Sequence, residues 1–192
     1  MSSLNLDAAV ADTVFTAFDF ETTGLYPPHD KIVEFGAVKF RGETVLGTFS
    51  ELVNPGIRIP PEASQISGIS DAMVAGKPVI RETLQAFMAF IGDSILLAHN
   101  ATFDLGFLRA ALQEGGAPDV RNPIVDSMAV AIKAYPRRQS YSLQNLVAFL
   151  SIPPNTAHRA LDDAYNCMKV FNKCVAELSF MGDLALSEIL GQ

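Results

Sequence analysis

Residues 13–21, Thr-Val-Phe-Thr-Ala-Phe-Asp-Phe-Glu, constrain the fold more than any other stretch of the chain. The run is apolar on both alternating faces until its last residues, the pattern of a strand covered on both sides. Such a strand needs a layer above and a layer below it. Gly24 and Pro27-Pro28 break it. Lys31–Phe40 and Thr44–Val53 read as two further strands, joined as a hairpin by Arg41-Gly42-Glu43. Pro61–Ser67 and Ser70–Ala75 read as helical turns, and Ile80–Ile91 as a helix. A short buried strand at Ser94–Ala98 precedes a helix at Thr102–Glu114, which Gly115-Gly116 closes. Pro123–Val125 is a further short strand, followed by helices at Ser127–Tyr135, Ser142–Leu150 and Arg159–Leu178, and a last one at Asp183–Leu190. Strands first, then strands alternating with helices, predict an α/β layer fold with a mixed sheet.

The 192 residues suit one domain, and 49% hydrophobic composition excludes a disordered chain. No apolar run approaches the roughly 18 residues of a membrane span. The first basic residue is Lys31, so a secretory signal is not expected. Cys167 and Cys174 lie seven residues apart on one predicted helix, too far for a disulfide, which fits a reducing cytoplasm. The net charge of −7 argues at first against a nucleic-acid partner. The charge is uneven, however. Lys133, Arg137, Arg138, Arg159, Lys169 and Lys173 face only Asp162 and Asp163 within residues 133–173.

Several acids fall where burial is expected. Asp19 and Glu21 stand at i and i+2 and so share one face of the first strand, at its C-terminal end. That edge is where α/β sheets place ligands. Two buried like charges are unfavourable without a cation between them, which suggests Mg²⁺ or Mn²⁺ held by oxygen. The alternative is a strand ending in two solvated acids. Asp104 falls inside the apolar arc of its helix, although an acid in a first turn is also favoured by the helix dipole. On the last long helix, Asp163 flanks the apolar stripe of Leu161, Ala164, Met168 and Phe171, while Asp162 points to solvent beside Lys169. His158 precedes that helix and can act as a general base for water, or be an ordinary surface histidine. Together, four acids and one histidine match the needs of two-metal phosphodiester hydrolysis.

Three motifs then carry a resemblance: Asp19-Phe20-Glu21-Thr22-Thr23-Gly24, His99-Asn100-Ala101-Thr102-Phe103-Asp104, and His158-Arg159-Ala160-Leu161-Asp162-Asp163-Ala164. With Leu52-Val53-Asn54-Pro55, Pro61-Glu62-Ala63-Ser64 and Tyr141-Ser142-Leu143 between them, the chain resembles the DEDDh 3′–5′ exonucleases, of the type of the epsilon proofreading subunit of bacterial DNA polymerase III. The resemblance implies a ribonuclease H-like fold, a mixed five-stranded sheet flanked by helices. It implies an exonuclease domain over residues 13–178, with residues 1–12 as an extension and 179–192 as a tail or short helix. It implies two divalent cations, Mg²⁺ or Mn²⁺: Asp19 bridges both, Glu21 and Asp163 complete the first site, Asp104 serves the second, and His158 deprotonates the attacking water. Thr22, Thr23 and Gly24 would meet the terminal sugar, and Asn100 and Phe103 the substrate; a plain turn and core packing are the other readings of the loop and of Phe103. The implied substrate is the 3′ end of single-stranded or frayed DNA, with RNA as the alternative. The resemblance implies a DNA polymerase catalytic subunit as a partner; the alternative to an active nuclease is a mainly non-catalytic, polymerase-associated subunit, and no membrane partner is expected. The short stretch Ser179–Gln192 favours a stand-alone nuclease or a domain of a larger polymerase. One departure stands out: Ser67 occupies a position where relatives often carry His.

Overall fold

The structure is a computed structural model, and it describes residues 4–153, 155 and 158–190. Five strands form one sheet: β1 (Val14–Thr22), β2 (Ile32–Arg41), β3 (Thr44–Leu52), β4 (Ile95–Ala98) and β5 (Ile124–Asp126). Their order is β3-β2-β1-β4-β5. The first three are antiparallel neighbours, whereas β4 and β5 run parallel to β1. The mixed α/β sheet expected from the strand pattern, with the five strands that the family resemblance implies, is therefore present. The helices are α1 (Pro61–Ser67), α2 (Asp71–Val74), α3 (Ile80–Ile91), α4 (Ala101–Glu114), α5 (Ser127–Ala134), α6 (Leu143–Phe149) and α7 (Ala160–Leu178).

Period-two alternation divides the core. Phe18 and Phe20 of β1 and Phe35 and Ala37 of β2 pack with Phe87 of α3 and Leu108 of α4. Phe15 and Ala17 of β1 and Val38 and Phe40 of β2 pack on the other face, against Met168 and Phe171 of α7. Followed toward the end of β1, that second face changes character. The register sets Phe15 against Phe40, Ala17 against Val38, Asp19 against Gly36, and Glu21 against Glu34. The α7 face of the sheet thus runs from hydrocarbon to carboxylate in four cross-strand pairs.

The two ends of the chain are knitted onto this core. Ala9 pairs with Ala185, Val10 N–H donates to the Leu184 carbonyl (2.9 Å), and Leu186 N–H to that of Ala8 (3.0 Å). Val10, Leu184, Leu186 and Ile189 are buried there. A helix over Asp183–Leu190 does not form. The segment spends its backbone groups on that pairing and keeps only a 3₁₀ turn at Leu186–Glu188. Cys167 and Cys174 are free thiols buried within α7. Among the described residues, no helix is long and apolar enough to cross a membrane.

Candidate active site

Three carboxylates converge where the α7 face turns acidic. Ligand oxygens of Asp19, Glu21 and Asp163 lie within 4.8 Å of one another. Asp19 and Glu21 are carried there by alternation on β1. Asp163 comes from the first turn of α7, its N–H bonded to the Arg159 carbonyl at 2.9 Å. Asp104, in the first turn of α4, approaches from the β4 side. It is 3% exposed, and its Oδ1 accepts the Phe20 N–H at 3.2 Å, the amide between Asp19 and Glu21. Asn100, left-handed with φ 61°, starts α4. Asp126 holds that turn by accepting the N–H groups of Asn100 (3.0 Å) and Ala101 (3.3 Å), and also caps α5 through Met128 N–H.

His158 sits at the mouth of the site, exposed, with φ 60°. A left-handed backbone is uncommon outside glycine, so the surroundings must hold it. Its N–H donates to Asp163 Oδ2 at 2.9 Å, which ties the histidine to the cluster. With Asp19, His99, Ser142, Leu143, Gln144 and Asp163 it lines a cleft of about 260 Å³.

The site's electrostatics favour a cation. Burial pushes all four carboxyls above their usual range, and repulsion from neighbouring acids adds to it for Asp19, Glu21 and Asp104. Glu21 rises to about 7 and Asp104 to about 8. Hydrogen bonds from Phe20, His158 and Gln144 oppose the shift at Asp104 and Asp163 but do not cancel it. An all-oxygen, acidic donor set suits a hard divalent cation. The spacing fits as well: with oxygen bonds of about 2.0–2.1 Å, two ligands on opposite sides of Mg²⁺ stand about 4.2 Å apart.

Residues other than the four acids and His158 fix this geometry. Glu34 is the chief one. Its side chain is 2% exposed, and it takes the Arg159 guanidinium at Nε (3.2 and 3.1 Å) and Nη2 (2.5 Å), plus Ala160 N–H at 3.0 Å. An acid next to Glu21 is thereby neutralised and becomes the anchor of the α7 N-terminus. Gly36 permits the approach. A Cβ there would lie 2.0 Å from the Ala160 carbonyl carbon. Gln144 donates to Asp163 Oδ1 at 3.0 Å, and Asn166, fully buried, links Asp163 to Asn155. His99 holds the far wall. Its Nε2 faces the Tyr141 carbonyl (2.8 Å), which can only accept, so Nε2 carries the proton and Nδ1 accepts from the Ser127 hydroxyl (2.8 Å). Burial lowers the His99 pKa, in keeping with this neutral tautomer. In the sequence Glu34 and Gly36 stand at i and i+2 on one face of β2, and only the register with β1 shows that this face meets Asp19 and Glu21.

The remaining expected site residues are placed less directly. Thr22 donates its hydroxyl to the Gly24 carbonyl (2.6 Å). Thr23 is 2% exposed, and its hydroxyl is engaged with Asp30 and Lys31 N–H. Both side chains therefore shape the turn. Asn100 is exposed, and Phe103 is half-buried, 5.1 Å from the Phe107 ring. Asp162 is half-buried and lies outside the three-carboxylate cluster. Ser67 is buried at the end of α1, its hydroxyl bonded to the Ala63 carbonyl and Ile69 N–H, so it serves the local fold.

Comparison with known proteins supplies the context. The profile of the exonuclease family matches residues 16–171. The PolC-type DNA polymerase III of Thermotoga maritima is 39% identical over 187 residues, 97% of this chain and 14% of that protein. The epsilon subunit of DNA polymerase III of Treponema pallidum is 42% identical over 164 residues, 84% of this chain and 76% of that protein. Exonuclease X in complex with 5′-overhanging duplex DNA superposes with a TM-score of 0.69 at 28% identity, covering 84% of this chain and 91% of that one. The chain thus spans a small part of the polymerase but most of the epsilon subunit.

Proposed function

This chain belongs to the exonuclease family, and from that premise we propose that it removes nucleotides from the 3′ ends of single-stranded or frayed DNA with the help of two divalent cations, Mg²⁺ or Mn²⁺. The observation that carries the reading is the convergence of Asp19, Glu21 and Asp163 within 4.8 Å, beside buried Asp104. Asp19, Glu21 and Asp163 would hold one cation, and Asp19 and Asp104 the other. Bound there, the pair would stabilise charge on the attacking and leaving oxygens. His158 stands exposed at the mouth of the cleft, where its imidazole can take a proton from water. Its backbone bond to Asp163 keeps base and carboxylate in one unit. Asn100 and Phe103, with the backbone of Thr22, Thr23 and Gly24, would receive the terminal nucleotide. The relative named as the epsilon subunit of DNA polymerase III supports a DNA polymerase catalytic subunit as partner.

The test is a ladder experiment. Single strands of DNA and of RNA with matched sequence carry a label at the 5′ end and are incubated with Mg²⁺ or Mn²⁺. The expected result is stepwise shortening of DNA from the 3′ end with release of 5′-monophosphates. Untouched strands with either cation, or cleavage at internal sites, would contradict the reading. Faster turnover of RNA would reassign the substrate.

A further inference from the structure

The loop between α5 and α6 builds a second polar pocket that the catalytic cluster does not use. Its volume is about 590 Å³, and its lining includes Arg137, Arg138, Gln139, Ser140, Asn145 and Phe149, with no acidic side chain. The loop is closed by one hydroxyl: Tyr141 donates to the Tyr135 carbonyl (2.7 Å) and accepts Arg138 N–H (3.1 Å). Arg137 is held at φ 67°, a conformation rarely taken by a residue with a side chain, and its side chain is exposed. The Arg138 guanidinium lies 3.5 Å above the Phe149 ring, and its Nε is buried with no hydrogen-bond partner among the described residues. Two guanidinium groups, two amides and a hydroxyl, without a counter-charge, make a site for an anion.

Its place in the fold says which anion. Ser142, Leu143 and Gln144 line the catalytic cleft, while Ser140 and Asn145 line this pocket, on two sides of the same turn. A polyanionic chain with its end in the cleft would reach this pocket by crossing that turn. We propose that Arg137 and Arg138 form an upstream subsite for the phosphodiester backbone of a single-stranded nucleic acid, on the 5′ side of the scissile bond. The subsite rests on the exonuclease reading. It gives the chain a grip on strand length that the acidic cluster cannot supply.

The experiment compares two substrates in wild type, in Arg137→Gln and in the double variant Arg137→Gln/Arg138→Gln. One substrate is the p-nitrophenyl ester of thymidine 5′-monophosphate, which has no upstream phosphate. The other is oligo(dT) of about 20 nucleotides, long enough to span a single-strand site. The ratio of kcat/KM on the oligomer to that on the ester is expected to fall at least tenfold in the double variant. The oligomer's KM, not its kcat, carries the change. Binding of the same oligomer, followed by anisotropy in an Asp163→Asn background, should lose about 1.4 from its log–log salt slope in the double variant and about 0.7 in Arg137→Gln, at roughly 0.7 per phosphate contact on a single strand. The single variant guards against misfolding, because the Arg137 side chain is exposed and substitutions at such positions usually change stability little. An unchanged ratio and slope overturn the subsite. Equal losses on ester and oligomer also overturn it, since they place the effect on catalysis or folding. A wild type that turns over the ester but gains nothing from strand length overturns the subsite alone; one inert on both overturns the exonuclease reading with it.

Discussion

Replacing Gly36 by alanine should damage the site from behind, without touching any ligand. Gly36 lies opposite Asp19 on the neighbouring strand, under the first turn of α7. An added Cβ would lie 2.0 Å from the Ala160 carbonyl carbon and 2.1 Å from Leu161 N, backbone atoms that cannot rotate away. Real Cβ contacts essentially never fall below 3.0 Å, so the helix end must retreat by about 1 Å. The bond from Ala160 N–H to Glu34, now 3.0 Å, then stretches beyond hydrogen-bonding range. Overpacking costs about 1–3 kcal/mol, and a lost bond to a charged group about 1.5–3 kcal/mol. Together, about 2.5–6 kcal/mol lowers Tm by roughly 5–24 °C in a chain of this size, at about 2–4 °C per kcal/mol. Asp163 moves with the helix, and a displacement of about 1 Å at a catalytic centre costs on the order of 100-fold in rate. Urea denaturation gives the first quantity, and hydrolysis with Mg²⁺ at a temperature where both proteins are folded gives the second. Gly47→Ala is the control, because its added Cβ meets Phe90 at an ordinary 3.5 Å. A Gly36→Ala protein within about 0.5 kcal/mol of wild type, the range of an ordinary surface change, and with full activity would refute this account of how α7 is seated.

Three further outcomes follow from the same geometry. Glu34→Gln leaves Arg159 without its counter-charge; stability should fall by about 1–3 kcal/mol, less than for a fully buried pair because Arg159 is 41% exposed, and Mn²⁺ affinity measured by calorimetry should fall with it. Asp163→Asn should lose more than roughly 100-fold in activity, beyond the range of outer-sphere changes, whereas Asp162→Asn should keep most of it; equal losses in a nuclease assay would refute the assignment. In EDTA, stability should fall as pH rises from about 4 to about 8. The folded protein holds protons on Glu21 (to about 7) and Asp104 (to about 8) that the unfolded chain has already released, so that stabilisation is lost as pH passes through those values. Added Mg²⁺ should reverse the trend, because it binds the deprotonated carboxylates; thermal melts across pH with and without the cation check both slopes.

The parts of this protein that follow a period were open to a reading of the chain. Alternation along β1 identified a strand buried on both sides and put Asp19 and Glu21 together. The helical wheel separated Asp163 from Asp162, and the structure brings only Asp163 to the other two acids. The order of strands and helices was equally plain. What stayed hidden depends on contacts between distant segments. Glu34 looks like one more acid in a strand until the register sets it beside Glu21 and under Arg159. Gly36 carries no local signal, since its constraint comes from a helix far along the chain. The last segment has helical composition, yet pairing of Ala185 with Ala9 outweighs the propensity of so short a run. Position alone marks the threonines after β1, but the hydrogen bonds that occupy their hydroxyls exist only in the folded turn.

Asp19 is the one carboxylate proposed to join two cation sites to the chemistry. Titration of wild type and Asp19→Asn with Mn²⁺, followed by calorimetry beside single-strand hydrolysis, tests it most directly. The prediction is that wild type binds two Mn²⁺ per chain in the presence of a nucleoside 5′-monophosphate, and that Asp19→Asn loses both sites and the activity together. An Asp19→Asn protein that binds Mn²⁺ as wild type does, or that shortens the strand at the wild-type rate, would contradict it.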